Sequence, residues 1–552
     1  MRTKSGIAFL LLLALIVALA AALRIWGLGW GLPQEFHPDE PLVVPRAIGA
    51  VTNGDWNPHY FLVPSFQTEL TSLAFYKIYL GGKVTGAFKN PDDFGQWSAW
   101  HYGTLYLVGR GISVLMGILV VIGAALLAGE LLRGPSGIEK EKSSTATIQW
   151  GSLLAALMVA VSPLMTASSR FITPDMPMLA FCVWSIWVML RAIRLGNLRQ
   201  LVWAGLLAGF SVSSKYSAGV LLLPLIISVF SIRSGDAKKS PSRMSIILAA
   251  LVAMLAGFLI GTPYAILDFP TFLNHLQIQY AAQHEGHIGM ERAGATVLHM
   301  FGDMVTKEGP VLILMALIGA WALWTRNRRV WWVILPLIVV YLFEVSRWTV
   351  YADRYLLPAL PFMMGLSALA VTAMVNRTKK PAVKIVTGIA LVAILAIPPL
   401  LVTIQQARRL GLPDTRTAAL AWVEANTPPG ARILWEIGGP QPADMNSKYH
   451  REPSYDIITL PPSFSETAKG VVPLSILQET QPEYVITTSN YRARYESPYT
   501  QKRFPEIVEK WKRYYSVLDT EWDVAYDIRP KKEAGSIART GPSIRIYKRK
   551  ES

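Results

Sequence analysis

A chain of 552 residues that is 52% hydrophobic and only 16% charged, with a mean hydropathy of +0.33, is too apolar for a water-soluble protein of this size and reads as a polytopic membrane protein. Its formal net charge of +16 is spread over short loops between apolar stretches, so nucleic acid is not an expected partner. The single cysteine, Cys182, lies inside an apolar stretch; no intrachain disulfide can form, and the thiol is expected to serve packing.

The first apolar stretch, Gly6 to Leu28, is longer than the apolar core of a signal peptide and lacks a clear small-residue cleavage site, so it is expected to be a retained span. Further stretches follow at Tyr106 to Leu132, Gln149 to Thr166, Met176 to Ala192, Leu201 to Ser214, Ala218 to Ile232, Met244 to Ile266, Pro310 to Trp324, Val330 to Val345, Leu356 to Val375 and Ile385 to Ile404. That makes about eleven spans, some short enough to be tilted or re-entrant. Every second loop is basic: Arg2 and Lys4; Arg133, Lys140 and Lys142; Arg194 and Arg199; Arg233, Lys238, Lys239 and Arg243; Arg326, Arg328 and Arg329; Arg377, Lys379, Lys380 and Lys384. This positive-inside pattern puts the amino terminus in the cytoplasm and, with an odd number of spans, the carboxyl-terminal tail outside.

The outer loops, chiefly residues 29–105 and 267–309, hold most of the unusual polar residues, so the working face is expected to be extracytoplasmic. Phe36-His37-Pro38-Asp39-Glu40 follows closely on the first span, and an acidic pair at a membrane boundary is a functional-site candidate because carboxylates are costly to desolvate. Thr68 to Tyr79 has helical apolar spacing and suits either an interfacial helix or a buried packing helix. Asp175 opens the fourth span, Lys215-Tyr216 fills a break between two spans, and Arg354-Tyr355 precedes the tenth. Each also has a simpler reading, as a helix cap, a snorkelling cation or an aromatic belt residue.

From about Ala407 the character changes. Thr415 to Asn426 reads as a helix, Arg432 to Ile437 as a strand, Tyr484 to Thr488 as another, Thr500 to Tyr514 as a helix and Ser543 to Tyr547 as a final strand. The expected organisation is a transmembrane domain over residues 1–406 and a soluble extracytoplasmic α/β domain over 407–552.

The order and sidedness of these elements resemble the lipid-carrier-dependent glycosyltransferases of the GT-C fold, specifically the relatives of protein O-mannosyltransferases and aminoarabinose transferases (glycosyltransferase family 39-like). The resemblance rests on Asp39-Glu40 after the first span, Arg110 early in the second, Arg170 with Asp175, Lys215-Tyr216, Pro263-Tyr264 and Arg354-Tyr355 with Pro358. It also draws on Gly54 to Tyr60 leading into Pro64-Ser65. It implies transfer of a sugar from a polyprenyl-phosphate donor to a protein, lipid or glycan acceptor outside the plasma membrane, with inversion. Asp39 is then the expected general base, with Glu40 and Asp175 stabilising positive charge on the sugar ring. Lys215 and Arg354, backed by Arg170 and Arg347, are expected to hold the donor phosphate. His37, Tyr216 and Tyr355 are secondary candidates. No cofactor is expected to be required; the alternative is Mg²⁺ or Mn²⁺ on Asp39, Glu40 and Asp175, since His284, His287 and His299 lack a ligand constellation. A transporter or flippase of a lipid-linked sugar is the competing class; the sequence lacks paired broken helices in matching halves and charges deep within spans.

Overall fold

Apolar helices occupy all eleven expected stretches in the computed structural model, which describes residues 4–133, 144–232, 242–285, 288, 295–460, 471–533 and 536–550. Arg2, Lys140, Lys142, Arg233, Lys238, Lys239 and His287 lie outside the described residues. The helices are α1 Lys4–Ile25, α2 Tyr102–Leu132, α3 Thr145–Val161, α4 Asp175–Leu195, α5 Gln200–Ser214, α6 Leu222–Ser231, α7 Arg243–Gly261, α8 Pro310–Arg326, α9 Arg328–Ser346, α10 Leu360–Arg377 and α11 Pro381–Leu410. Among the described residues, seven of these (α1, α2, α4, α7, α9, α10 and α11) are long and apolar enough to cross a membrane singly. An eighth span arises if Thr296–Glu308 and α8, bent by 103° at Gly309, count as one. The remaining three, α3, α5 and the segment Tyr216–Ser231 that ends in α6, are shorter. The expected count of eleven thus matches the apolar helices, while only seven or eight meet the length of a full span.

Helix packing follows from where small residues fall. On α5, a Cβ added at Gly205 would meet Ala250 O at 2.2 Å and one at Gly209 would meet Met254 O at 2.0 Å; on α7, one at Gly257 would meet Leu206 O at 2.3 Å. The two backbones therefore touch along a small-residue seam, the usual solution where lipid tails are as apolar as leucine and only close approach gives net attraction. Serine caps start α3 and α7, with Ser144 accepting from Thr147 N and Ser242 from Ser245 N. Arg24, at the end of α1, is fully buried and donates to Val159 O and Ala160 O. A guanidinium is thereby set on the carbonyl end of α3, where the helix dipole favours a cation.

The expected Thr68 to Tyr79 helix is part of a longer one, Phe66–Thr85. It buries Phe66, Thr71, Ser72, Phe75 and Tyr79 while exposing Leu73, Tyr76, Leu80 and Val84. One face packs on the protein and residues of the opposite face are exposed, an arrangement compatible with either reading.

The last apolar helix runs on to Leu410, past the expected boundary at residue 406. Beyond it a six-stranded mixed sheet has the order β2-β3-β1-β4-β8-β5, from β1 Arg432–Trp435, β2 Ala443–Asp444, β3 Ser454–Thr459, β4 Tyr484–Thr488, β5 Asp523–Ile528 and β8 Ile544–Lys548; β6 Lys531–Glu533 and β7 Ser536–Arg539 form a separate ribbon. The two-residue period of a strand divides the core. Leu434, Val485 and Tyr547 face Trp511, Tyr514, Tyr515 and Leu518 of helix Pro505–Glu521. Their neighbours Ile433, Ile486 and Ile546 face Ala419 and Val423 of helix Thr415–Asn426. Both helices and three of the strands were expected from periodicity. The helix expected over Thr500 to Tyr514 is two, split at Phe504-Pro505, because the proline cannot continue the first. Strands β3 and β5 gave no clear alternation.

Candidate active site

Four residues expected to take part in chemistry meet at one end of the bundle, although they lie up to 315 positions apart. Asp175 is the first residue of α4, just after Pro174, where a carboxylate favours the helix dipole; Lys215 is the C-cap of α5, where a cation does. Arg354 lies in a 3₁₀ turn, Asp353–Leu356, before α10, and Asp39 caps the turn Glu40–Leu42 after α1. Arg354 Nη1 donates to Asp39 Oδ2 at 2.6 Å, and Arg354 Nε lies 3.9 Å from Asp175 Oδ2. Lys215 Nζ donates to Asp175 Oδ1 at 2.6 Å. The result is an alternating row, Asp39, Arg354, Asp175, Lys215, in which two carboxylates and two cations hold each other.

The row is graded in exposure. Asp175 is buried, with 2% of its side chain exposed, whereas Lys215 has 19%, Asp39 28% and Arg354 31%. Burial alone would lower the Arg354 pKa, but Asp39 and Asp175 outweigh it and hold the guanidinium above its usual range, so it stays charged. Among the described residues, Arg354 Nε has no hydrogen-bond acceptor. A buried donor with no hydrogen-bond acceptor, on one of the row's two cations, is suited to an incoming anion's oxygen. Tyr355 lies under Lys215, with Nζ 4.8 Å from its ring centroid. Tyr216 stands beside Lys215 in sequence but donates to Phe61 O at 2.8 Å, fixing the long segment between α1 and α2 onto the break between α5 and α6.

Glu40, expected with the catalytic carboxylates, is fully buried and held on both oxygens. Arg110 Nε donates to Oε1 at 2.8 Å and Nη2 to Oε2 at 2.6 Å, while Ile172 N donates to Oε1 at 3.0 Å. Arg110 Nη1 also donates to Leu28 O and Trp30 O, at 2.6 and 2.9 Å. His37 stacks on Phe171, at 4.5 Å between centroids, and accepts from Asp39 N through Nδ1 at 3.3 Å; burial lowers its pKa, favouring the neutral ring that accepts this bond.

Two expected phosphate ligands lie elsewhere. Arg170 is 1% exposed and donates to Leu23 O at 2.8 Å, and burial lowers its pKa to about 10. Arg347 is 61% exposed at the end of α9 and pairs with Glu344 at 3.9 Å. Its guanidinium also lies 5.9 Å from the Phe343 ring centroid. Sequence reasoning missed Lys307, which bonds to Asp353 next to Arg354 and to Asp303 at 3.1 Å. The π-helical turn Met304–Glu308 before the Gly309 break brings it there, and no sequence signal pointed to it.

Among the described residues no group of three or more His, Cys, Asp or Glu side chains could hold a metal ion. Glu40 is turned to Arg110, which leaves Asp39 and Asp175 as two carboxylates each answered by a cation, a poor fit to a divalent ion's oxygen shell.

Residues 143–260, from just before α3 to near the end of α7, match a family model described as dolichyl-phosphate-mannose-protein mannosyltransferase. No curated protein sequence matches the chain. Among solved structures, ArnT from Cupriavidus metallidurans bound to undecaprenyl phosphate is similar with a TM-score of 0.56 at 13% identity, covering 99% of this chain and 98% of that one. The archaeal oligosaccharyltransferase AglB from Archaeoglobus fulgidus, in complex with an inhibitory peptide and a dolichol-phosphate, is similar with a TM-score of 0.54 at 13% identity, covering 88% and 70%. The fold expected from the sequence therefore holds: the GT-C fold shared with ArnT extends over essentially the whole chain, the carboxyl-terminal α/β region included.

Proposed function

We propose, taking as premise a multi-pass membrane chain of the GT-C fold, that the protein is a glycosyltransferase moving a sugar from a polyprenyl-phosphate carrier to an acceptor at the extracytoplasmic face, with inversion. The observation that carries this reading is the row of Asp39, Arg354, Asp175 and Lys215 at one bundle end. The structures it resembles include one bound to undecaprenyl phosphate and one in complex with a dolichol-phosphate, which supports a carrier of that class here.

In this reading the donor phosphate accepts a hydrogen bond from Arg354 Nε, whose contact with Asp175 at 3.9 Å is too long to be one, and shares Lys215. Drawing Arg354 toward the phosphate loosens its bond to Asp39 and frees a carboxylate oxygen to accept a proton. The acceptor hydroxyl then attacks the anomeric carbon as its proton passes to Asp39. The bond from that carbon to the phosphate oxygen breaks, its electron pair stays on the phosphate, and the cations stabilise the growing charge. Asp175, buried between both cations, holds them in place and faces the positive charge that develops on the ring. Glu40 serves as the strut that ties the Asp39 turn to α2. The cations replace a metal in this scheme, so chelation with EDTA leaves turnover unchanged.

The test is sugar transfer by the purified protein in liposomes, with a panel of polyprenyl-phosphate sugars, comparing wild type with Asp39→Asn. The substitution keeps the side chain's shape and removes its basicity, so turnover is expected to collapse while donor binding remains. Undiminished turnover would move the base elsewhere. Movement of lipid or sugar across the bilayer with no donor consumed would replace the enzyme with a transporter.

A further inference from the structure

Asp39 stands in a five-residue segment, Phe36 to Glu40, that is gripped from two sides. The membrane domain holds its end through Glu40 and Arg110. Its start is held by the soluble domain, 380 residues away, through Arg416 in the first turn of helix Thr415–Asn426.

The grip is built from a planar cation. Asp414 caps the helix by accepting from Arg416 N at 2.9 Å, and its two oxygens also accept from Arg416 Nε and Nη2 at 2.8 and 2.9 Å. That fork fixes the guanidinium plane. The flat face lies 3.7 Å from the Phe36 ring centroid and 5.3 Å from that of Trp30, and the remaining nitrogen Nη1 donates to Phe36 O at 3.2 Å. Phe36 has no slack on its other side, because a Cβ at Gly31, where φ is +73°, would sit 2.6 Å from its ring. Trp30 meets both Phe36 and Phe171 edge-on, and Phe171 stacks on His37. A continuous set of ring contacts thus runs from Arg416 to the residue whose Nδ1 accepts from Asp39 N. Another polar contact between the carboxyl-terminal domain and the first loop, Lys448 and Tyr449 on Asp92, lies far along the chain from this segment.

We infer that Arg416 is a positioning residue: through Phe36 it sets the place of Asp39, so that turnover requires the soluble domain to be docked. This inference rests on the proposed role of Asp39, but the clamp itself can be measured without activity. A displacement of about 1 Å in a reacting group can lower a rate about 100-fold, so Arg416→Ala is expected to lower kcat by about 10- to 100-fold with the donor KM little changed. Arg416→Lys keeps the charge but has neither the fork nor the flat face, so it is expected to restore little. Added methylguanidinium is expected to restore part of the turnover of Arg416→Ala.

The experiment is hydrogen exchange on the full chain in lipid nanodiscs, read at the amides of Asp39, Glu40, Leu42 and Val43, whose acceptors are His37 Nδ1, His37 O, Asp39 O and Glu40 O, alongside transfer kinetics. Both Arg416 variants should exchange faster there, while Lys448→Ala, which loosens the other contact, should not. Unchanged exchange in Arg416→Ala and Arg416→Lys overturns the clamp whatever the kinetics. Faster exchange with wild-type kcat overturns the link to Asp39. Faster exchange in a protein whose wild type consumes no donor leaves the clamp standing and retires the proposed function instead.

Discussion

Arg110→Met is expected to destabilise the protein by about 3–5 kcal/mol, the range for breaking a buried ion pair from one side. Both partners of this pair are fully buried, at 0% side-chain exposure. Removing the guanidinium leaves the Glu40 carboxylate with one donor, Ile172 N at 3.0 Å, and strips Leu28 O and Trp30 O of the Nη1 hydrogen bonds they accept. Glu40→Gln keeps one good acceptor for Arg110 and leaves those two carbonyl bonds in place, so it should cost less, about 1.5–3 kcal/mol for a lost charge-assisted bond. The double variant Glu40→Met with Arg110→Met removes the stranded charge and should recover about 2 kcal/mol or more relative to Arg110→Met. Equilibrium unfolding in mixed micelles measures all three, and the single variant Glu40→Met closes the double-mutant cycle. Transfer assays on the same proteins should find that the double variant regains stability without regaining turnover, since the turn carrying Asp39 is no longer tied to α2. An Arg110→Met protein within about 1 kcal/mol of wild type, or a cycle that adds without coupling, would refute the argument that the pair is the strut of the site.

Lys215→Met should lower kcat by about 100- to 1000-fold, as for loss of one preorganised group facing developing charge; donor titrations and turnover on one preparation check it. Gly209→Ala places a methyl where 2.0 Å separates it from Met254 O, and should cost about 1–3 kcal/mol by forcing α5 from α7, read as a shift in thermal unfolding. In the soluble domain, burial pushes the Glu436 pKa up to about 8. The folded state then holds a proton that the unfolded state gives up near pH 4.5, so stability falls as pH rises from there to about 8 and levels off above it. Glu436→Gln should flatten that slope, and a variant with the wild-type slope would assign it to another group.

Features that depend on local composition and period were legible in the residues alone. The apolar runs around α1 to α11, the helix Thr415–Asn426 and strand β4 were all legible because burial in lipid or in a two-faced sheet leaves a periodic trace in neighbouring residues. Asp39, Asp175, Lys215 and Arg354 were legible as candidates because each charge stands at the edge of an apolar run, where it is costly to desolvate. How they divide the work depends on the folded arrangement. Adjacent in sequence, Asp39 and Glu40 point to different partners, one to Arg354 and one to Arg110, because the turn Glu40–Leu42 rotates successive side chains apart. Arg170 lies in the segment that leads to Asp175 and Arg347 in the one that leads to Arg354, yet Arg170 is buried on Leu23 O and Arg347 pairs with Glu344 at the exposed end of α9. Arg416 and Lys307 left no mark at all, since contacts to Phe36 and Asp353, 380 and 46 residues away, impose no spacing on the chain. Whether a charged side chain serves the row, a strut or a helix end depends on which backbones fold against it, and that is a long-range property of packing.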